Sequence, residues 1–163
     1  MTISFNADEI FEMAEQIERN GAKFYRKAAD NIKDPDQKSM LQELAVMEDA
    51  HLVIFTKMRE ALTDADKQSM VSDPFDESAL YLQSIADGYV FDVKTDPSAL
   101  LTGKESLADV LKIAIGLEKD SIVFYIGIRA RVPEHLGKDK IDRIIGEEMK
   151  HVAQLSTDLA GLK

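Results

Sequence analysis

Two stretches of the chain read Glu-x-x-His, Glu48 to His51 and Glu148 to His151, and two further glutamates, Glu18 and Glu118, each stand thirty residues upstream of one pair. On a helix, residues three apart share a face, so a carboxylate and an imidazole at that spacing can reach one metal ion. Four carboxylates and two imidazoles suit two divalent cations. The four positive charges cancel the glutamates, and the histidines add neutral ligands. Oxygen-rich ligation with one nitrogen per ion favours iron or manganese, and zinc can also enter such a site.

The set recurs because the chain repeats. At an offset of one hundred residues, with no gap, Ala14 matches Ala114, Glu18 matches Glu118, and Phe24-Tyr25 matches Phe124-Tyr125. Lys38 matches Lys138, Glu48 matches Glu148, and His51 matches His151. A duplication that retained only packing would keep Leu and Ile. This one keeps Glu, Tyr and His.

Four long helical patterns must position these residues. The first opens at Asn6 with Glu9 three residues on, a capping-box arrangement, and runs to about Asn31. The second begins at Asp34-Pro35 and runs to about Ala61. The third opens at Ser106 with Asp109 and runs to about Arg131; the fourth follows Gly137 and runs from Lys138 to about Leu159. Each is roughly 22–27 residues, or ~33–40 Å long. Short joints within each pair predict antiparallel neighbours. The stretch from Thr63 to Glu105 carries the breakers Asp73-Pro74, Asp96-Pro97 and Gly103, and a short helix is expected inside it near Glu77–Gly88. The expectation is an all-α, antiparallel four-helix bundle spanning residues 1–163 as a single domain. A long crossover places its second and third helices parallel, at opposite corners.

The core-facing seams follow the alternating three-and-four spacing. They read Phe11, Ala14, Glu18, Gly21, Tyr25, Ala28, Ile32 and Leu41, Leu44, Glu48, His51, Phe55, Met58, Leu62 in the first pair. In the second they read Leu107, Leu111, Ala114, Glu118, Ser121, Tyr125, Ile128 and Ile141, Ile144, Glu148, His151, Leu155, fraying at Asp158 and Leu162. Every seam is apolar at its ends and ionisable in its middle. A single Glu-x-x-His usually carries no metal, and a single seam histidine is usually a hydrogen-bonded core residue. Two such pairs and two further glutamates in one register, with no Lys or Arg in the seams to pair them, read instead as metal ligands. Tyr25 and Tyr125 lie two turns from Glu18 and Glu118, placed either to hydrogen-bond a ligand carboxylate or simply to pack. Glu15 and Glu147 sit off the seam and read as surface or rim residues, and His135 as an exposed turn residue. Met13, Met40, Met47 and Met58 read as core filler.

Composition narrows the function classes. The 163 residues are 45% hydrophobic and 31% charged, which excludes a disordered or low-complexity chain. There is no cysteine, hence no disulfide framework, thiolate zinc site, cysteine-ligated iron–sulfur cluster or cysteine nucleophile. A net charge of -10 and a pI near 4.8 disfavour nucleic acid and anionic membranes as partners. No leader-like or spanning stretch is legible, so a cytoplasmic location is expected.

Glu18-x6-Tyr25 with Glu48-x-x-His51, repeated as Glu118-x6-Tyr125 with Glu148-x-x-His151, resembles the rubrerythrin branch of the ferritin-like superfamily of di-iron carboxylate proteins. Phe24-Tyr25 and Tyr89-Val90-Phe91 in the crossover are similar to that branch too. The resemblance implies a ferritin-like bundle in which Glu18 and Glu118 bind one metal each, Glu48 and Glu148 bridge the pair, and His51 and His151 cap one ion each. It implies two iron ions and an oxidoreductase that reduces peroxide or dioxygen with electrons from a separate donor protein, in a homo-oligomer, with a dimer favoured. Two departures stand out. The cysteine-bearing rubredoxin domain is missing, and the position one turn beyond Glu118, usually a further glutamate, is Ser121. The six-ligand set is closer to bacterioferritin ferroxidase centres, so iron oxidation and storage is the alternative. A hydroxylase with an apolar pocket beside the metals and a non-catalytic scaffold are the remaining readings.

Overall fold

The computed structural model describes residues 6–68, 80, 84, 95–129, 132 and 134–162. Helix α1 spans Ala7–Asn31 and opens on a complete capping box: the Asn6 side chain accepts from the Glu9 amide at 2.9 Å, and the Glu9 carboxylate accepts from the Asn6 amide at 2.9 Å. Helix α2, Pro35–Glu60, starts with proline in its first turn, and Asp34 accepts from the amides of Asp36 and Gln37. A short helix, α3, covers Asp64–Gln68. A 3-10 turn at Pro97–Leu100 is capped by Asp96, and another covers Glu134–Leu136. Helix α4 spans Leu107–Arg129 and α5 spans Lys138–Gly161, two residues further than the sequence pattern suggests. Gly137 precedes α5 with φ of 80°, a left-handed conformation that costs glycine nothing. The expected crossover helix near Glu77–Gly88 and the Tyr89-Val90-Phe91 segment lie outside the described residues, apart from Leu80 and Ser84.

Helix α1 lies along α2, and α4 along α5. Between the hairpins α1 faces α4 and α2 faces α5, which puts α2 and α4 at opposite corners. The predicted seams point inward: all seven α2 seam residues are buried, as are Leu111, Ala114, Glu118, Ser121, Tyr125 and Ile128 of α4. The apolar core is divided in two. One cluster gathers Phe11, Phe55, Met58, Tyr125, Ile128, Ile141 and Ile144. The other gathers Phe24, Tyr25, Ala28, Leu41, Leu44, Leu111 and Leu155. The ionisable residues of the seams occupy the level between them. No described helix is long and apolar enough to cross a membrane.

Phe55 is fully buried, 6.4 Å from Phe11 and 5.0 Å from Tyr125 between ring centroids. Phe55→Ala should lower unfolding free energy by about 3–5 kcal/mol, read as a shift in the urea midpoint at unchanged slope.

Candidate metal centre

Each bundle helix brings one carboxylate to the shared level, and α2 and α5 add a histidine one turn on. Glu18, Glu48, His51 and Glu148 offer ligand atoms within 4.8 Å of one another, and so do Glu48, Glu118, Glu148 and His151. The two groups share Glu48 and Glu148. All six residues are at most 4% exposed. Glu148 spans the pair: its Oε1 lies 2.8 Å from His51 Nδ1 and its Oε2 lies 2.8 Å from His151 Nδ1. Glu18 Oε2 lies 3.6 Å from His51 Nδ1, and Glu118 Oε1 lies 3.6 Å from His151 Nδ1. The six residues singled out by spacing thus converge, in two halves related by the internal repeat.

The tyrosines cross between the halves. Tyr25 on α1 donates to Glu118 on α4, and Tyr125 on α4 donates to Glu18 on α1. Both rings meet the preceding phenylalanine edge-on, at centroid distances of 5.5 and 5.7 Å. Burial, then the neighbouring carboxylates, hold both phenols well above their usual range, so they stay protonated donors.

Polar atoms left over at this level fit bound cations. Glu18 Oε2, Glu48 Oε1, His51 Nδ1, Glu148 Oε1 and His151 Nε2 are buried without a hydrogen bond. His51 Nδ1 and Glu148 Oε1 are close yet not aligned as donor and acceptor. Close approach without alignment is what two ligands of one ion require. Among the described residues, no Lys or Arg pairs with the four glutamates. The donor set, oxygen-rich with one imidazole in each half, can hold a dinuclear metal site.

Without metal, protons must compensate the charge. Burial, then Glu18, Glu118 and Glu148, push the Glu48 carboxyl far upward. Burial raises Glu118 to about 8, against the pull of the neighbouring His151. Burial alone would lower both imidazoles, but the adjacent carboxylates of Glu148 and Glu18 raise His51 to about 11, and those of Glu118 and Glu148 raise His151 to about 9. Glu148 is held low: burial pushes it up, but both histidines outweigh that.

Two residues depart from their sequence reading. Glu147 accepts from His51 Nε2 at 2.8 Å and is itself held by Arg143 at 3.0 Å, so it sits behind a site histidine. Its repeat partner is Met47, and His151 Nε2 has no hydrogen bond. Glu15 is buried and paired with Arg19 at 2.9 Å and Arg59 at 3.4 Å, apart from the cluster. His135 is half exposed, 3.2 Å from Asp66. Gly21 was not singled out, yet a Cβ there would come within 2.4 Å of Glu48 Oε2. Only a glycine leaves that carboxylate its place.

No protein-family model matches the sequence, and no curated protein is significantly similar to it. A crystal structure from Thermotoga maritima, provisionally described as a ferritin-like diiron-carboxylate protein, superposes with a TM-score of 0.78 at 25% identity, covering 98% of both chains. The chain has the ferritin-like fold, with a buried Glu/His cluster at the level where its four helices meet.

The raised histidine and carboxyl groups stabilise the metal-free fold by binding protons that the unfolded chain does not. That stabilisation is complete for the histidines below pH 6.5 and is lost as pH rises through about 9 and 11. The melting temperature of metal-free protein should therefore fall between pH 6.5 and 10, as scanned by calorimetry.

Proposed function

We propose that the protein is a di-iron carboxylate oxidoreductase of rubrerythrin type that reduces peroxide or dioxygen with electrons from a separate donor protein. The observation that carries this reading is the pair of three-glutamate, one-histidine groups sharing Glu48 and Glu148 in a buried core, with no Lys or Arg partner among the described residues. The described fold of the Thermotoga maritima protein supports it.

Glu18 and His51 would hold one ion, Glu118 and His151 the other, and Glu48 and Glu148 both. Iron bound there supplies one electron per ion and Lewis acidity toward an O–O bond. The chain's own residues do the rest. Glu147 fixes the His51 ring so that Nδ1 faces the cluster. Tyr25 and Tyr125 hold protons on the two terminal carboxylates. The flanking apolar clusters keep bulk water from both ends. These 163 residues contain no cysteine with which to bind an electron-transfer iron–sulfur cluster, which supports a donor outside this bundle. One observation favours iron uptake and oxidation as a second reading: Ser121 donates to its own helix at Leu117 O, 3.0 Å away, and leaves a symmetric six-ligand set.

Protein reconstituted anaerobically with ferrous iron should hold two irons per chain by elemental analysis. Oxidation far faster by peroxide than by air supports the first reading; oxidation by air followed by further uptake supports the second. No stoichiometric metal overturns both. Glu48→Ala and Glu148→Ala should each abolish paired binding. Glu147→Leu should weaken one of the two ions by about 10–100-fold and leave the other unchanged, read by competition with a chelating dye.

A further inference from the structure

A cavity of about 230 Å3 opens on the α1 and α4 side of the bundle, beneath the 3-10 turn. At its inner end lie Glu48, Glu118 and Tyr25, all nearly inaccessible; at its mouth, Leu100 is 58% exposed. Ile17, Leu117 and Pro97 are among the residues between them. Glu48 is 4% exposed, and its Oε1 has no hydrogen bond. Gly21, also in the wall, is what lets the Glu48 side chain lie there. The turn that covers the cavity is tied down: Lys27 donates to Ser98 O at 2.7 Å, Lys23 pairs with Asp96, and Leu101 is buried in the core. The turn over the cavity is therefore fixed to α1 and to the core.

We propose that this cavity is a binding site for a small, uncharged organic molecule with an apolar body, seated against the Glu48 and Glu118 side of the candidate centre. The size is sufficient, since an apolar cavity of ~150 Å3 holds benzene. The wall gives an apolar body its contacts. A buried, mostly apolar wall disfavours any charged body, because neither an anion nor a cation finds there a partner that offsets its desolvation. The site deepens the reading of the centre only in giving it a neighbour, and binding itself does not depend on metal.

Phenol, neutral at pH 7, is a suitable probe, with benzoate as its anionic counterpart. Titrated into the full chain with and without zinc, phenol should bind saturably, one per chain, with Kd on the order of 1 mM. It should shift the methyl NMR signals of Ile17, Leu100 and Leu117 in the unmodified chain. Benzoate should bind at least tenfold more weakly to the metal-free chain. Ser121→Leu, which fills the cavity from α4, should weaken phenol at least tenfold. No saturable binding, shifts confined to other methyls, or equal binding of benzoate to the metal-free chain would each overturn the proposal. Metal content is measured separately on the same sample. Phenol binding by a chain that takes up no metal pair supports the cavity and overturns the reading of the centre.

Discussion

Four carboxylates in the dry middle of a helical bundle are the condition to which everything else is fitted. An isolated buried carboxylate costs several kcal/mol even after relaxation, and neighbouring anions add to that cost. The fold meets the cost locally. Two histidines, two phenol hydroxyls and bound protons surround the glutamates, and the apolar core is split into clusters above and below them. A bundle built only for stability would run Leu and Ile through this level. Retention of the charged set across both copies of the repeat separates a site from a packing solution.

The repeat is nearly symmetric at the centre and broken just outside it. Each tyrosine crosses to the carboxylate of the opposite half, so each hairpin completes the hydrogen bonding of the other. Neither hairpin alone would satisfy its own glutamate. Behind the histidines the symmetry ends. Glu147 fixes the His51 tautomer and adds electron density to its ring, whereas its counterpart in the repeat is Met47, which has no carboxylate to offer His151. Gly21 and Ser121 break it again: one makes room for Glu48, the other spends its hydroxyl on its own helix. Two chemically similar halves are thereby made unequal, which is useful where two ions must differ in affinity or potential.

Much of this was legible in the chain. The Asn6 and Glu9 capping box and the Asp34-Pro35 start mark helix origins because capping is local chemistry. The seams were legible because burial follows the helical period. The six site residues stood out because they interrupt those seams in register. The crossed tyrosines were not legible, since spacing relates Tyr25 to Glu18 on its own helix and says nothing of how α1 is rotated against α4. Glu147 was missed because an off-seam glutamate four residues after Arg143 looks like an exposed helical ion pair, and it does make that pair. Its position beside Glu148 and opposite His51 emerges only when α2 and α5 pack. The cavity was invisible for a similar reason. It is space left between α1, α4 and a turn at Pro97, and no residue pattern encodes a gap.

The metal-free arrangement also explains how such a cluster can fold before it is loaded. Burial and mutual repulsion raise Glu18, Glu48 and Glu118 toward their protonated forms, while the two raised imidazoles hold Glu148 toward its ionised form. Net charge at the centre then stays small, and the helices can close. Divalent ions entering such a cluster would displace those protons, exchanging one set of positive charges for another. Glu148 already spans both halves before any such exchange, 2.8 Å from the Nδ1 of each histidine.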